Sequence, residues 1–338
     1  MLRTVASRFL SSLAAVLGAS IVAFAFLRVL PSNPARLILG QFATQQAINE
    51  QIKAMGLDQP LWVQYWRYIT AFLRGDWGFA YSVGQPVTTA IGSRLGASTE
   101  LGLYAFFGAL FFAVLAALLA TYRRRPIVDG VVRGASSLGL GIPPFWFGLI
   151  VLLLFSQTFP ILPGPEGRLS PGVSPPPTIT HLYTVDALLN GQFGTFWDAL
   201  RHLILPALTL GLAAFGFLVR LLRANLLDVS REQFLTVARS KGVDRWRVHL
   251  RHALPNAFLP TLTAGGLVLA QLLAGSVLVE YVFDWPGVGA LVVDSTLRHD
   301  YAVVETFVLL SAIAYVVVNI VVDVLYVVID PRVRHETA

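Results

Sequence analysis

The chain has 338 residues, 55% of them hydrophobic and only 13% charged, whereas a soluble domain carries about 25% charged residues; water alone is excluded as its solvent. It contains no cysteine, which excludes disulfides, thiolate catalysis and cysteine-based metal sites. The formal net charge of +6 is gathered into short segments between apolar runs, a pattern that belongs to membrane topology and not to nucleic-acid binding.

A membrane-spanning helix needs about 20 mainly apolar residues. That rule predicts six spans, at 9–29, 98–121, 135–158, 203–223, 258–280 and 303–328, in an all-α integral membrane protein. The first apolar stretch outlasts a signal-peptide core and reads as an uncleaved anchor. The segment that follows, 31–97, is too polar to span. It is rich in Trp62, Tyr65, Trp66, Tyr68, Trp77 and Tyr81, and reads as a small ordered subdomain, helical around 44–74, with aromatics at the membrane interface. The prolines of 160–177 require an extended loop there, and 281–302 carries a turn at Asp284-Trp285-Pro286-Gly287.

Orientation follows from the basic residues. Arg3, Arg8, Arg123, Arg124, Arg125, Arg133, Arg220, Arg223, Arg231, Arg239, Lys241, Arg245, Arg247, Arg251, Arg332 and Arg334 all fall on one side of the predicted spans. By the positive-inside rule that side, with both termini, is cytoplasmic. The segments 31–97 and 159–200 are then extracytoplasmic.

The longest cytoplasmic segment, 224–257, reads as a knob of two short helices. Ser230 with Gln233 fits a capping box. Phe234, Val237, Ala238 and Lys241 follow at helical spacing, and Gly242 supplies a stop. Asp244 caps a second helix that runs to His252 and is ended by Leu254-Pro255. A pair of helices of this kind suits docking into a groove on a partner; the bland alternative is a solvated basic loop satisfying topology, with its cations on anionic lipid.

Here the chain resembles a known family. Thr236-Val237-Ala238-Arg239-Ser240-Lys241-Gly242, with Leu254-Pro255 beyond, is similar to the EAA loop of ABC importer permeases. Thr236 and Val237 stand where the general pattern has Glu and Ala, and the stretch from Glu232 to Gly242 resembles the peptide-importer variant of it. Pro31-Ser32-Asn33-Pro34, Gly56-Leu57-Asp58-Gln59-Pro60, Gly75-Asp76-Trp77-Gly78, His202-Leu203-Ile204-Leu205-Pro206, Phe283-Asp284-Trp285-Pro286-Gly287-Val288-Gly289 and Asp330-Pro331-Arg332-Val333-Arg334 extend the likeness along nearly the whole chain. It is identified as resembling the B-type permease of dipeptide/oligopeptide (or nickel) ABC importers.

The resemblance implies a type I importer permease fold in four parts. These are an N-terminal end with the first helix (1–30), an extracytoplasmic subdomain (31–97), a five-helix core (98–330) holding the coupling loop, and a cytoplasmic tail (331–338). It implies that Glu232, Phe234, Thr236, Ala238, Arg239, Lys241, Gly242, Leu254 and Pro255 meet an ATPase. It further implies a second homologous permease, two nucleotide-binding subunits that use ATP and Mg, an extracytoplasmic substrate-binding protein and a bacterial inner-membrane location. The chain itself has no phosphate loop and is not expected to bind ATP; the resemblance implies a permease that holds no cofactor and is not an enzyme.

Asn319 and Asp323 share one face of the last span, four residues apart. They line the path, or Asp323 pairs with an arginine of a neighbouring segment. Glu280, with Asp284, either meets the amino group of an arriving peptide or marks the interface. Nickel or glutathione import is the alternative within the family. From another class, an ion-coupled secondary transporter would use Asp323, Glu280 or Glu305, but the inverted repeats that such proteins show are not evident.

Overall fold

The computed structural model describes residues 14, 16–26, 28, 39, 40, 42–122, 125–273 and 277–329, the last eight of them as backbone only. The Pro31–Pro34 motif, the C-terminal Asp330–Arg334 motif, Arg3, Arg8 and the ends of the predicted first span lie outside the described residues. The helices are α1 (Val16–Phe26), α2 (Gln45–Ala54), α3 (Leu61–Leu73), α4 (Val87–Tyr122), α5 (Pro126–Gly141), α6 (Pro144–Leu152), α7 (Tyr183–Leu189), α8 (Phe193–Val229), α9 (Gln233–Ser240), α10 (Arg245–Val248), α11 (Leu254–Leu273), α12 (Val277–Val282), α13 (Val288–Leu297) and α14 (Tyr301–Ile329). A two-stranded antiparallel hairpin, β1 (Phe79–Ala80) and β2 (Gln85–Pro86), leads into α4.

Among the described residues, 4 helices are long and apolar enough to cross a membrane, or up to 5 if a bent pair counts as one. The long pair, α4 with 36 residues and α8 with 37, forms the axis of the fold. At 1.5 Å per residue each is over 50 Å long, well beyond a hydrocarbon core of about 30 Å. Both start about ten residues ahead of the predicted spans, and the added turns of α4 pack on protein. Ala90 and Ile91 are fully buried there. Close approach is bought by small residues. A Cβ on Gly211 would stand 2.8 Å from the Ala105 carbonyl, and one on Gly139 2.6 Å from that of Leu212. Ser136 then donates to the Gly216 carbonyl at 2.7 Å, so α5 rests on α8 backbone to backbone.

Three expectations are corrected. The predicted span 135–158 is not one helix: Pro126–Gly141 and Pro144–Thr158 meet at 108°. Two prolines in succession remove two N–H donors and force Ile142 into an extended conformation (φ −97°, ψ 127°). Secondly, Ser230 is not the N-cap residue of α9. It is the C-cap of α8, its hydroxyl donating back to Leu227 O at 2.7 Å, while Glu232 holds the N-cap position of α9 without a side-chain bond.

The third correction concerns Leu254-Pro255, which does not end the second knob helix. The chain runs helically from Arg245 to Leu273, through a π-helical turn at His249–Ala253. In that turn the Leu254 N–H donates to His249 O, five residues back, and the widened ring makes room for the Pro255 ring that a tight α-turn would refuse. The last span agrees closely with prediction, Tyr301–Ile329 against 303–328.

The helices α2 and α3 fill 45–73 as the sequence predicts, separated by a turn in which Gly56 takes φ +66°. Their aromatics divide: Tyr65 and Tyr68 pack on Phe24 of α1, and Trp77 stacks on Phe72, while Trp62 and Trp66 stay exposed. The region is pinned to α14 by the Tyr68 hydroxyl, which donates to Glu305 O at 2.9 Å, and through Arg28, which follows α1 and bonds both Gln64 and Glu305.

Candidate functional site

The knob is built on one buried anchor. Leu235 is 1% exposed and, with the partly buried Ala238 and Val243, packs into the main core. The opposite face of α9 points away: Phe234 is 43% and Val237 53% exposed, with Thr236, Arg239 and Lys241 beside them and Glu232 at the start. The sequence pattern groups Ala238 with this outer set; the structure places it on the inner side.

Gly242 closes α9 with φ +80°. Its N–H donates to Arg239 O (3.0 Å) and the Val243 N–H to Ala238 O (3.3 Å), the paired bonds of a Schellman ending. Asp244 then caps α10, accepting from the Trp246 N–H at 2.9 Å. Leu254 packs against the core and Pro255 is exposed, both beyond the π-turn and apart from the outer face of α9. Near the base of the knob, Asp129 of α5 receives both Arg223 Nε and Nη2 of α8.

A second constellation sits at the other end of α4, in the single turn Gly96–Glu100. Gly96 has no room for a Cβ against the His181 carbonyl. The Ala97 carbonyl accepts from the buried Trp285 indole at 2.9 Å, and Ser98 Oγ accepts from the Val288 N–H at 2.8 Å. Glu100 takes the Arg168 guanidinium on one oxygen (2.6 Å) and both the N–H and the hydroxyl of Thr184 on the other. Arg168 also lies over the Tyr183 ring, 3.4 Å from its centroid. One helical turn thus holds the proline-rich loop, α7 and the 283–289 turn together. Asp186 in α7 secures the same loop by accepting the Thr180 N–H and hydroxyl, each at 2.7 Å. Burial pushes its carboxyl up, but the bonds from Thr180 outweigh that and hold it below the usual carboxylate range. With the folded value depressed, this anchorage is present at neutral pH and fades as pH falls through that value.

Glu280 is 1% exposed and is no solvated interfacial acid. Its Oε2 accepts from the Gly289 N–H at 2.7 Å and the Ala290 N–H at 3.2 Å, so it compensates the N-terminus of α13 from inside the protein. The turn's glycines make space for it. A Cβ on Gly287 would stand 2.5 Å from Ser98 Oγ and closer still to the Glu280 carboxylate. Gly287→Ala is therefore expected to destabilise the protein by about 1–3 kcal/mol, the usual range for overpacking. A detergent melting curve identical to wild type would refute that packing.

Asn319 is partly exposed on α14; the Asp323 side chain lies outside the described residues. The structure brings neither Asn319 nor Glu280 into one cavity with the knob. The described apolar cavity, about 600 Å³, lies between α4 and α8 and is lined by Tyr104, Gly108, Phe112, Ala207, Gly211 and Phe215 among others. Glu100, Arg168 and Leu235 carry no signal in the sequence reading. An alternation of burial along α9 points to Leu235, but the partner of Glu100 is 68 residues away and shares no local pattern with it.

Residues 109–335 match the family described as "Binding-protein-dependent transport system inner membrane component". Residues 1–95 match the description "Binding-prot-dependent transport system membrane comp, N-term". The chain is 40% identical over 318 residues to a probable D,D-dipeptide transport system permease protein, DdpB, of Escherichia coli (strain K12), covering 94% of this chain and 93% of that one. It is 33% identical over 335 residues to the dipeptide transport system permease protein DppB of Alkalihalophilus pseudofirmus (99% and 100% covered). To the glutathione transport system permease protein GsiC of Salmonella paratyphi A it is 36% identical over 336 residues (99% and 100%).

Proposed function

The chain belongs to the family of binding-protein-dependent transport system inner membrane components, and on that premise we propose that it is one permease subunit of an ATP-driven importer of short peptides. The observation that carries the coupling half of this reading is the knob itself: a helix anchored by Leu235, closed by Gly242, and presenting Phe234 and Val237 to the outside at the end of a long apolar bundle. Unpartnered apolar side chains on a rigid helix at the mouth of a membrane protein suit a groove on another chain.

In this reading the chain makes half of a translocation pore in a bacterial inner membrane, with both termini cytoplasmic. The segment of α1, the bent α5–α6 pair and the four long helices supply six spans. Residues 31–97 lie on the extracytoplasmic side. A second homologous permease completes the pore, two nucleotide-binding subunits hydrolyse ATP with Mg against the knob, and an extracytoplasmic binding protein delivers the substrate. The long relatives named for dipeptides support peptide as the cargo; that named for glutathione is the nearest alternative, and its cargo is itself a small peptide-like molecule.

Co-purification of the tagged chain with its neighbours, followed by ATPase and uptake assays in proteoliposomes, tests it. Expected are a second permease, ATPase subunits, vanadate-sensitive hydrolysis and dipeptide uptake that glutathione does not compete. Uptake that collapses with a protonophore and ignores ATP would replace this reading by an ion-coupled one.

A further inference from the structure

Thr121 and Tyr122, the last two residues of α4, meet the foot of the knob from the side. Trp246 stands edge-on to Tyr122 with ring centroids 4.9 Å apart, and His249 lies 5.9 Å from the same ring. Thr121 Oγ1 is 3.0 Å from His249 Nε2 and 2.7 Å from Ala117 O. A hydroxyl has one proton. Directed to the Ala117 carbonyl, it leaves the oxygen as an acceptor, so His249 Nε2 carries the hydrogen and donates. His249 is also the first residue of the π-turn that joins α10 to α11.

This arrangement has two unlike halves. Along the chain, knob and α11 are joined through a π-turn followed by Pro255, a junction with a weakened hydrogen-bond ladder where bending is easiest. Across the chain, the knob is fastened to α4 by a hydrogen bond and an aromatic contact, and α4 packs along α8. The lateral contacts therefore give a displacement of the knob a second route, into α4.

We propose that Thr121, Tyr122, Trp246 and His249 form a lateral transmission joint that passes movement of the knob into α4, with the turn His249–Ala253 yielding as the hinge. This rests on the coupling role proposed above. The four act as positioning residues and touch neither peptide nor nucleotide.

The test is ATP hydrolysed per peptide imported, measured with the complete importer in lipid nanodiscs and proteoliposomes. Thr121→Val and His249→Leu are each expected to leave the ATPase subunits bound while transport per ATP falls about tenfold, within the usual span of coupling effects. The double variant should fall no further than either single one. Thr121→Ser, which keeps the acceptor, should restore the ratio. Because the chain has no cysteine, Thr121→Cys with His249→Cys can be bridged by a short reversible bis-methanethiosulfonate. Bridging should restore transport and reduction should remove it.

An unchanged ratio in both single variants overturns the joint. Transport and hydrolysis falling in proportion, with loss of folded complex and no rescue by Thr121→Ser or by the bridge, also overturns it in favour of a purely structural contact. If the wild-type complex shows no ATP-driven transport, the coupling reading fails first and takes the joint with it.

Discussion

Replacing Arg168 by methionine is expected to cost about 3–5 kcal/mol of stability, the range for removing one partner of a buried ion pair. Glu100 is 1% exposed, and its second oxygen depends on Arg168. Methionine fills much of the volume but leaves the carboxylate facing an apolar side chain. Arg168→Lys should recover little, since an ammonium cannot lie flat on the Tyr183 ring as the guanidinium does. Removing both charges, Glu100→Met with Arg168→Met, should recover part of the loss, because no charge then remains buried alone. Thr184, whose N–H and hydroxyl would lose their acceptor, limits that recovery. The measurement is thermal unfolding of the detergent-purified chain followed by size-exclusion fluorescence. Single and double variants that melt alike would mean that the pair contributes through packing alone.

The reach of sequence reasoning here follows the range of the interactions involved. Gly242 and Asp244 were legible because a helix ending and an N-cap are decided within four residues, and the structure places both in those roles. Long apolar runs likewise located the cores of α4, α8 and α14. The break at Pro143-Pro144 is equally local, yet mean hydropathy over 20 residues averages it away, although the paired prolines decide the backbone there. Ser-x-x-Gln at Ser230 is a pattern of side-chain capacity and not of position: Ser230 closes α8, and Glu232 takes the N-cap position of α9. The place of Glu280 is hidden from the sequence for a different reason. An acid near a span's end is ordinarily solvated, and only the folded turn brings the N–H groups of Gly289 and Ala290 to it. The hub on Gly96–Glu100 lay furthest out of reach, since its partners come from 168, 181, 184, 285 and 288.

The same division of near and far shapes the expected behaviour of the knob. If its outer face docks on an ATPase subunit, Phe234→Ala should weaken that association by about 2 kcal/mol, or about 30-fold, as truncating an aromatic anchor does. Val237→Ser should add to it, since both side chains are exposed on one side of α9. Neither change touches Leu235, so the folded permease should purify normally. Gly242→Val acts through another route: at φ +80° a β-branched residue is strained, the two closing hydrogen bonds are lost, and the outer face is re-aimed as a whole. Ala238→Glu is the less informative variant, because Ala238 lies on the inner side against the core and its replacement by a charge disturbs the anchor and the docking face together. Binding of the purified ATPase subunit to permease in nanodiscs, measured by biolayer interferometry, separates these cases. Undiminished binding by the Phe234→Ala, Val237→Ser double variant would remove α9 from the interface and return the loop to a solvated, lipid-facing role. Weakened binding by Gly242→Val alone would leave its basic residues Arg239 and Lys241 as the groups that meet the partner.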